Sequence, residues 1–462
     1  MRIGTNAAVA ILLFGVVFVT HSICPISQSG DSFWTVPLML SLLSEGNTNL
    51  DEFPDLLRER HYQGAECVTA EYRVIVPDWV RGCPVGSHYY YWYPLGTPVV
   101  ALPLMIAMDA TLRVVGPMIS HVTGDRLHDP ARAFVKRDYL ASHLLVEVVL
   151  GSAIIAFATA LLFLTGRFYL GVCASIVLAL LFAFGTSAWS TASRALWQHG
   201  PVMLMLTVAL YLLALGTSRP ALLPWTAAPL TLGYFIRPTA GIALALVGAY
   251  VFCHQRRQFT KWLLTAAVAA APFLAYNLFI YHWPLQSYFT PPWFLPPTPA
   301  NAGPILSAFA GSAVSPSRGL FVFSPFLLFS IAGVWLAIRR KWMTPLAYYL
   351  GAALALQWLL LADYMYWTGG HSYGPRLFSD VLPLFLFFLI PAFLWLRLDE
   401  PRRLLSVAFY VSVLVSVFIH YRGATAWAPY MWNGRPQDAI ERAWDWRDPQ
   451  FLRGILDSNS PR

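Results

Sequence analysis

The chain has 462 residues, 57% of them hydrophobic and only 12% charged, about half the charged share of an ordinary soluble domain. With a mean hydropathy of +0.55, this excludes a soluble globular protein. The net charge of +8 sits in short loops between apolar segments, where orientation in a bilayer accounts for it and nucleic-acid binding does not.

In chain order, Met1-Arg2 precedes an apolar run from Ala7 to Val19. The run reads as a retained first helix rather than a cleaved signal peptide, because the cleavage-site pattern is poor and many spans follow. Next comes Gln28-Ser29-Gly30-Asp31-Ser32-Phe33-Trp34. Asp31 is read here as a catalytic base, with a helix N-cap as the alternative. Residues 33–43 suggest an amphipathic piece along the interface, and Asp51 and Glu52 read as solvated. Cys67 and Cys83 share one polar loop and would pair if that loop is extracytoplasmic. Cys24, Cys173 and Cys253 lie in or beside apolar spans. The aromatic run 86–96 holds His88, Tyr89 and Tyr93. It suits either an interfacial belt or a stacking wall for sugar or prenyl chain.

Membrane-helix candidates fall at 7–24, 139–165, 169–188, 201–216, 221–236, 239–253, 262–281, 319–338, 344–362, 377–396 and 404–420. Segment 95–118 is apolar but interrupted by Pro103, Asp109, Arg113 and Pro117. If it does not cross, the inside loops carry twelve basic residues and the short outside loops four, namely Arg194, Arg237, Arg318 and Arg376. If it crosses, the basic clusters face outward, against the positive-inside rule. Segment 95–118 is therefore read as lying on the outer interface. The fold expected is an all-α polytopic membrane protein with about eleven transmembrane helices, N-terminus inside. Residues 25–138 form a large first outer loop. Residues 282–318 form a second, rich in Pro284, Pro291, Pro292, Pro296, Pro297 and Pro299.

Between Glu147 and Asp363 there is no Asp or Glu. Carboxylate chemistry must come from the first outer segment, from Asp363 and Asp380, or from the tail. The outer ends of the spans carry short polar motifs. These are Ser193-Arg194 through His199-Gly200-Pro201, then Arg237-Pro238-Thr239, then Ser315-Pro316-Ser317-Arg318-Gly319, then Trp367 through His371-Ser372-Tyr373-Gly374-Pro375-Arg376. Arginines converging on one face suit a phosphate, although any single one could instead snorkel to lipid headgroups.

This arrangement resembles the GT-C superfamily of integral-membrane glycosyltransferases. It is most similar to the bacterial branch that includes protein O-mannosyltransferases and lipid A aminoarabinose transferases. The resemblance rests on Asp31 after the first helix, on the juxtamembrane segment 95–118, on Tyr93-Pro94-Leu95-Gly96, and on Arg237-Pro238-Thr239 and Gly374-Pro375-Arg376. It covers roughly residues 1–400 as a catalytic domain and leaves 401–462 as a last span and an outer tail. Many relatives carry a paired acid where this chain has Asp31-Ser32, and no acid occurs in 186–200.

The resemblance implies transfer of a sugar from a polyprenyl-phosphate donor to a hydroxyl of a glycan, lipid or protein acceptor, on the periplasmic face of a bacterial inner membrane. Asp31 would be the general base and the reaction inverting. Arg194, His199, Arg237, Arg318 and Arg376 would bind the donor phosphate, so that no metal or other cofactor is required. His88, Tyr89, Tyr93, His371 and Tyr373 would contact substrate. The partners would be membrane lipids and these substrates, with no nucleic acid. The alternative is a transporter or flippase of a lipid-linked glycan, without catalysis.

Overall fold

The computed structural model describes residues 3–123, 125–289, 302–343, 345–364, 366–398, 403–433 and 442–455. The prolines 291–299 of the expected second outer loop lie outside the described residues. The chain opens with α1 (Ile3–Ser22), α2 (Thr35–Ser44) and α3 (Pro54–Glu59). Three short strands follow, β1 (Ala65–Val68), β2 (Val74–Ile75) and β3 (His88–Tyr91), in the antiparallel order β2-β1-β3. Next come α4 (Gly96–Thr123), α5 (Asp125–Val135), α6 (Tyr139–Gly166), α7 (Val172–Phe184), α8 (His199–Ser218), α9 (Ala227–Ile236), α10 (Gly241–His254) and α11 (Arg256–Tyr281). The remainder is α12 (Ala302–Val314), α13 (Leu320–Phe323), α14 (Leu328–Arg339), α15 (Leu346–Asp363), α16 (Leu382–Leu398), α17 (Arg403–Thr425) and α18 (Trp427–Met431).

Among the described residues, eight helices are long and apolar enough to cross a membrane. Seven coincide with expected spans. The eighth is Gly96–Val115, which the charge pattern had kept at the interface. Four expected spans are shorter or broken. Pro224, Pro238 and Pro325 each sit in a 3₁₀ turn that interrupts the apolar run, because proline supplies no N–H to the helical ladder. The segment from 169 yields only the 13 residues of α7 before a π-turn at Ala188–Ala192. The peripheral helices α1, α11 and α17 leave Leu12, Val19, Leu264, Val268, Leu404 and Leu414 exposed, a lipid-facing rather than water-facing pattern. The phenylalanine-rich α16 is buried from Leu382 to Phe393 and forms the central pillar.

The outer segment holds two further features, the second of which corrects an expectation. The outer segment contains a sheet, and the Cys67–Cys83 disulfide joins its central strand to the loop before β3. In α2, residues Thr35 to Ser41 are all buried, so it is an internal helix and not an amphipathic surface one. With Phe33 and Trp34 it packs in a cluster with Tyr139 and Val146 of α6 and Met105 of α4.

Contacts fix how α4 runs. Its first residue, Gly96, abuts the end of α9 so closely that a Cβ there would meet Ile236 at 2.6 Å; glycine is required for the approach. Thirteen residues on, about 20 Å along a helix, Asp109 pairs with Arg137 at 3.4 Å, just before α6 begins. The first ring of α6, Tyr139, meets Phe33 at 5.4 Å, while at its far end Arg167 donates to Asn6 near the start of α1 at 3.1 Å. The middle of α4 therefore lies beside the Phe33 end of the bundle and does not run down its length.

Candidate active site

The loop between α1 and α2 is organised by a carboxylate far away in sequence. Glu147 of α6 is fully buried. It accepts from Ser29 Oγ at 2.6 Å, from Ser32 Oγ, from Tyr139 Oη at 3.1 Å and from the Leu196 amide at 3.0 Å. Four donors offset the cost of burying the acid, and together they fix residues 29–32. Gln28 adds a side-chain bond to the Ser190 carbonyl at 2.9 Å, and its amide donates to the Arg194 carbonyl at 2.8 Å. Tyr91 of β3 donates its hydroxyl to the Asp31 carbonyl at 2.6 Å. The N-cap alternative for Asp31 fails, since α2 is capped at Trp34 without any side-chain bond. Asp31 is left with its carboxylate turned out of the loop, 44% exposed.

That carboxylate meets Arg376 Nη2. Arg376 lies with its guanidinium 3.8 Å from the centroid of the Trp197 ring, and its Nε donates to His199 Nε2 at 3.0 Å. Because Nε2 accepts, the ring proton of His199 is on Nδ1 and goes to Asp380 Oδ1, 2.7 Å away. Asp380 also pairs with Arg237 Nε at 2.9 Å and accepts from Thr239 at 3.3 Å. The result is a continuous chain: Asp31, Arg376, His199, Asp380, Arg237. Two carboxylates balance two guanidiniums across a neutral imidazole. The walls around Asp31 act to raise its carboxyl, but Arg376, with Arg237 behind it, outweighs them and holds it below the ordinary carboxylate range. Arg237 meets Asp380 through Nε as an ion pair, without an aligned hydrogen bond. Its two terminal nitrogens have no partner among the described residues.

Asp31, Arg237 and Arg376 line one cleft of about 520 Å³, walled by Tyr91, Trp92, Tyr93, Trp197, Tyr288 and Tyr364. His371 is exposed at its edge, on a loop where Gly369 and Gly370 adopt φ of 72° and 62°, a conformation that favours glycine. Gln198 joins two walls, donating to the Ile236 carbonyl at 2.6 Å and accepting from Tyr288 at 3.0 Å.

Of the expected site residues, Asp31, Arg237, Arg376, Tyr93 and His371 come together here. His199 stands behind Arg376 and is fully buried. Five others do not belong to the cleft. Arg194 is fully buried, and its guanidinium donates to the carbonyls of His21, Cys24 and Ile26. Arg318 is also buried, bonded to Gln450 at 2.6 Å, Asn433 at 2.8 Å and the Gly370 carbonyl at 3.2 Å. Tyr373 is internal, donating to the Ile419 carbonyl at 2.7 Å. His88 pairs with Asp51 on the surface at 2.6 Å, so Asp51 is not merely solvated. Tyr89 stacks on Tyr62 and accepts from the Cys83 amide at 2.8 Å.

Sequence reasoning offered Asp380 only as one possible source of a carboxylate and gave Glu147 no role. The signal was there: each is a lone acid within an apolar segment, and Asp380 falls four residues after Arg376. No family model matches the chain, and neither a curated protein nor a solved structure matches it.

Proposed function

We propose that the protein is a membrane-embedded glycosyltransferase. It moves a sugar from a polyprenyl-phosphate donor to an acceptor hydroxyl in the Asp31 cleft. The observation that carries this reading is the Asp31–Arg376 pair, opening on an aromatic cleft with the unoccupied end of Arg237 on the same wall. Aromatic faces suit sugar rings, and a guanidinium whose terminal nitrogens have no partner among the described residues suits a phosphate.

The charge inventory gives a mechanism. A polyprenyl-phosphate sugar is a phosphodiester with one negative charge. As the acceptor oxygen attacks the anomeric carbon, its proton passes to Asp31 and the bond from that carbon to the phosphate oxygen breaks. The leaving polyprenyl phosphate gains a second negative charge. At the same moment Asp31 becomes neutral, and Arg376, until then matched to it, is released as an uncompensated cation. Positive charge thus grows on the protein as negative charge grows on the phosphate, within one cleft. Arg237 holds the phosphate throughout. Arg194 and Arg318 take no part, and His199 orients Arg376. A single displacement inverts the anomeric centre.

The disposition in the membrane follows the same reading. Eleven segments cross, the N-terminus is cytoplasmic, and the cleft faces the periplasm of a bacterial inner membrane. The position of α4 beside the cleft end of the bundle supports a juxtamembrane helix, and the Cys67–Cys83 bond suits an oxidising compartment. An open apolar groove lined by Tyr234, Leu244, Gly248, Phe252 and Trp262 begins three residues from Arg237 and fits a prenyl chain.

The test is transfer by the purified protein from a synthetic undecaprenyl-phosphate sugar, with release of undecaprenyl phosphate as the readout. Asp31→Asn is expected to abolish it while the protein stays folded. Release that persists unchanged in Asp31→Asn overturns the reading. Movement of the donor across vesicles without release would assign the protein to transport.

A further inference from the structure

The outer sheet carries a second buried carboxylate that the mechanism does not use. Glu66 of β1 is 3% exposed, opposite Tyr90 of β3 in the ladder. It has no ion-pair partner among the described residues. It collects neutral donors instead: Ser287 Oγ at 2.7 Å, Gln286 Nε2 at 3.3 Å and the hydroxyl of Tyr281. Gln286 Nε2 also reaches the carbonyls of Tyr91 and Trp92 at 2.9 and 3.1 Å and the Tyr281 hydroxyl at 3.1 Å. These bonds staple the turn after α11 to two strands of the sheet. The next residue is Tyr288, which crosses the cleft to Gln198 and packs its ring against Trp92 and Tyr93, 5.4 and 5.1 Å between centroids.

We propose that Glu66 is a positioning residue for Tyr288: proton uptake by Glu66 fastens the 284–289 turn over the cleft, and proton loss loosens it. That this wall faces the donor rests on the function proposed above; the fastening itself does not.

The direction follows from linkage. Burial raises the Glu66 carboxyl to about 7, against bonds from Ser287, Gln286 and Tyr281 that lower it. The titratable groups facing it are the tyrosines 276 and 281 of α11 and Tyr90 of β3, and they bring no cation. When the turn opens, water reaches the carboxyl and its value returns to that of an ordinary glutamic acid. The closed form therefore binds the proton more tightly. Between the ordinary value and about 7, closure weakens by up to about tenfold per pH unit as pH rises, and it levels off on either side.

Hydrogen exchange of the peptide covering 284–289, in the full-length protein in nanodiscs, tests this. Glu66→Gln fixes the neutral form, and its ratio to wild type at each pH cancels the intrinsic exchange rate. The expected result is protection within about fivefold at pH 5 and a gap at pH 8 at least tenfold larger, in favour of Glu66→Gln. Glu66→Ala should be less protected than Glu66→Gln at both. A ratio that does not change with pH overturns the proposal, even if Glu66→Ala fails to fold. No sugar donor enters the measurement, so its failure is separate from failure of the glycosyltransferase reading.

Discussion

Four arginines stand at the ends of apolar segments in near-identical sequence settings, and the structure divides them two and two. Arg376 and Arg237 reach carboxylates, Asp31 and Asp380, and share one cleft. Arg194 and Arg318 are sealed in protein, and among the described residues their guanidiniums hydrogen-bond to carbonyl, hydroxyl and amide oxygens, with Arg318 also over the Trp432 ring. The first pair holds charge that can be redistributed when a ligand arrives. The second pair ties chain segments together, Arg194 fastening the end of α1 to the loop before α8 and Arg318 fastening the tail to the 370–376 loop. What distinguishes a binding arginine from a structural one here is a movable counter-charge and an open side.

The comparison can be broken most sharply at Arg194. Arg194→Met leaves the carbonyls of Cys24 and Ile26 without the donor they have here, each costing about 1–3 kcal/mol, and takes one of two donors from the carbonyl of His21. The expected outcome is loss of monodisperse protein by size exclusion; a variant with normal yield and Tm would show that burial had not made this arginine structural. Next in size is Asp31→Asn, expected to cut transfer by about a hundredfold to ten-thousandfold with little change in Tm, since the carboxylate is half-open to water. A smaller effect is expected for Arg237→Gln. Losing a charged contact to the phosphate should raise KM for the donor by roughly tenfold to a hundredfold and change kcat less. An unchanged KM would place the phosphate elsewhere.

The smallest expected effect sharpens the first pair. The Asp31 carboxyl is held low by Arg376, so the pair contributes stability above the unfolded carboxyl value and loses it as pH falls through the lower folded one. Arg376→Gln removes the guanidinium, and the acid limb of the residual pH–rate profile should move to higher pH. An acid limb that stays in place would mean that Asp31 is not the group titrating.

The apolar periodicity and the basic clusters were enough to place the long helices, since each long apolar segment became helical. They could not fix where α7, α9 and α14 begin and end. Those boundaries depend on proline turns beside α9 and α14 and, for α7, on the π-turn that follows it. Of the cleft, Asp31, Arg376, Arg237, Tyr93 and His371 were legible because they are polar groups concentrated at one end of an apolar bundle. The fate of Arg194 and Arg318 was not, because residue identity does not reveal whether a side chain will find carbonyl oxygens or a cavity. Glu147 and Asp380 were visible as solitary acids. Apart from Tyr139 and Leu196 beside Glu147, their partners lie more than a hundred residues away, and nothing local names those.

Glu147 also sets a rule for anyone recombining this chain with another. The acid, the hydroxyls of Ser29 and Ser32, and the amide of Leu196 come from three separate stretches yet behave as one part. One residue inserted into α6 just ahead of Glu147 would turn it by about 100° relative to the preceding turn of helix and leave the Asp31 loop without its anchor. A chimera must therefore inherit residues 28–32, 139–147 and 194–196 from the same parent. An exchanged outer sheet must in turn bring Tyr91, whose hydroxyl donates to the Asp31 carbonyl, and Glu66, which holds Gln286 and Ser287.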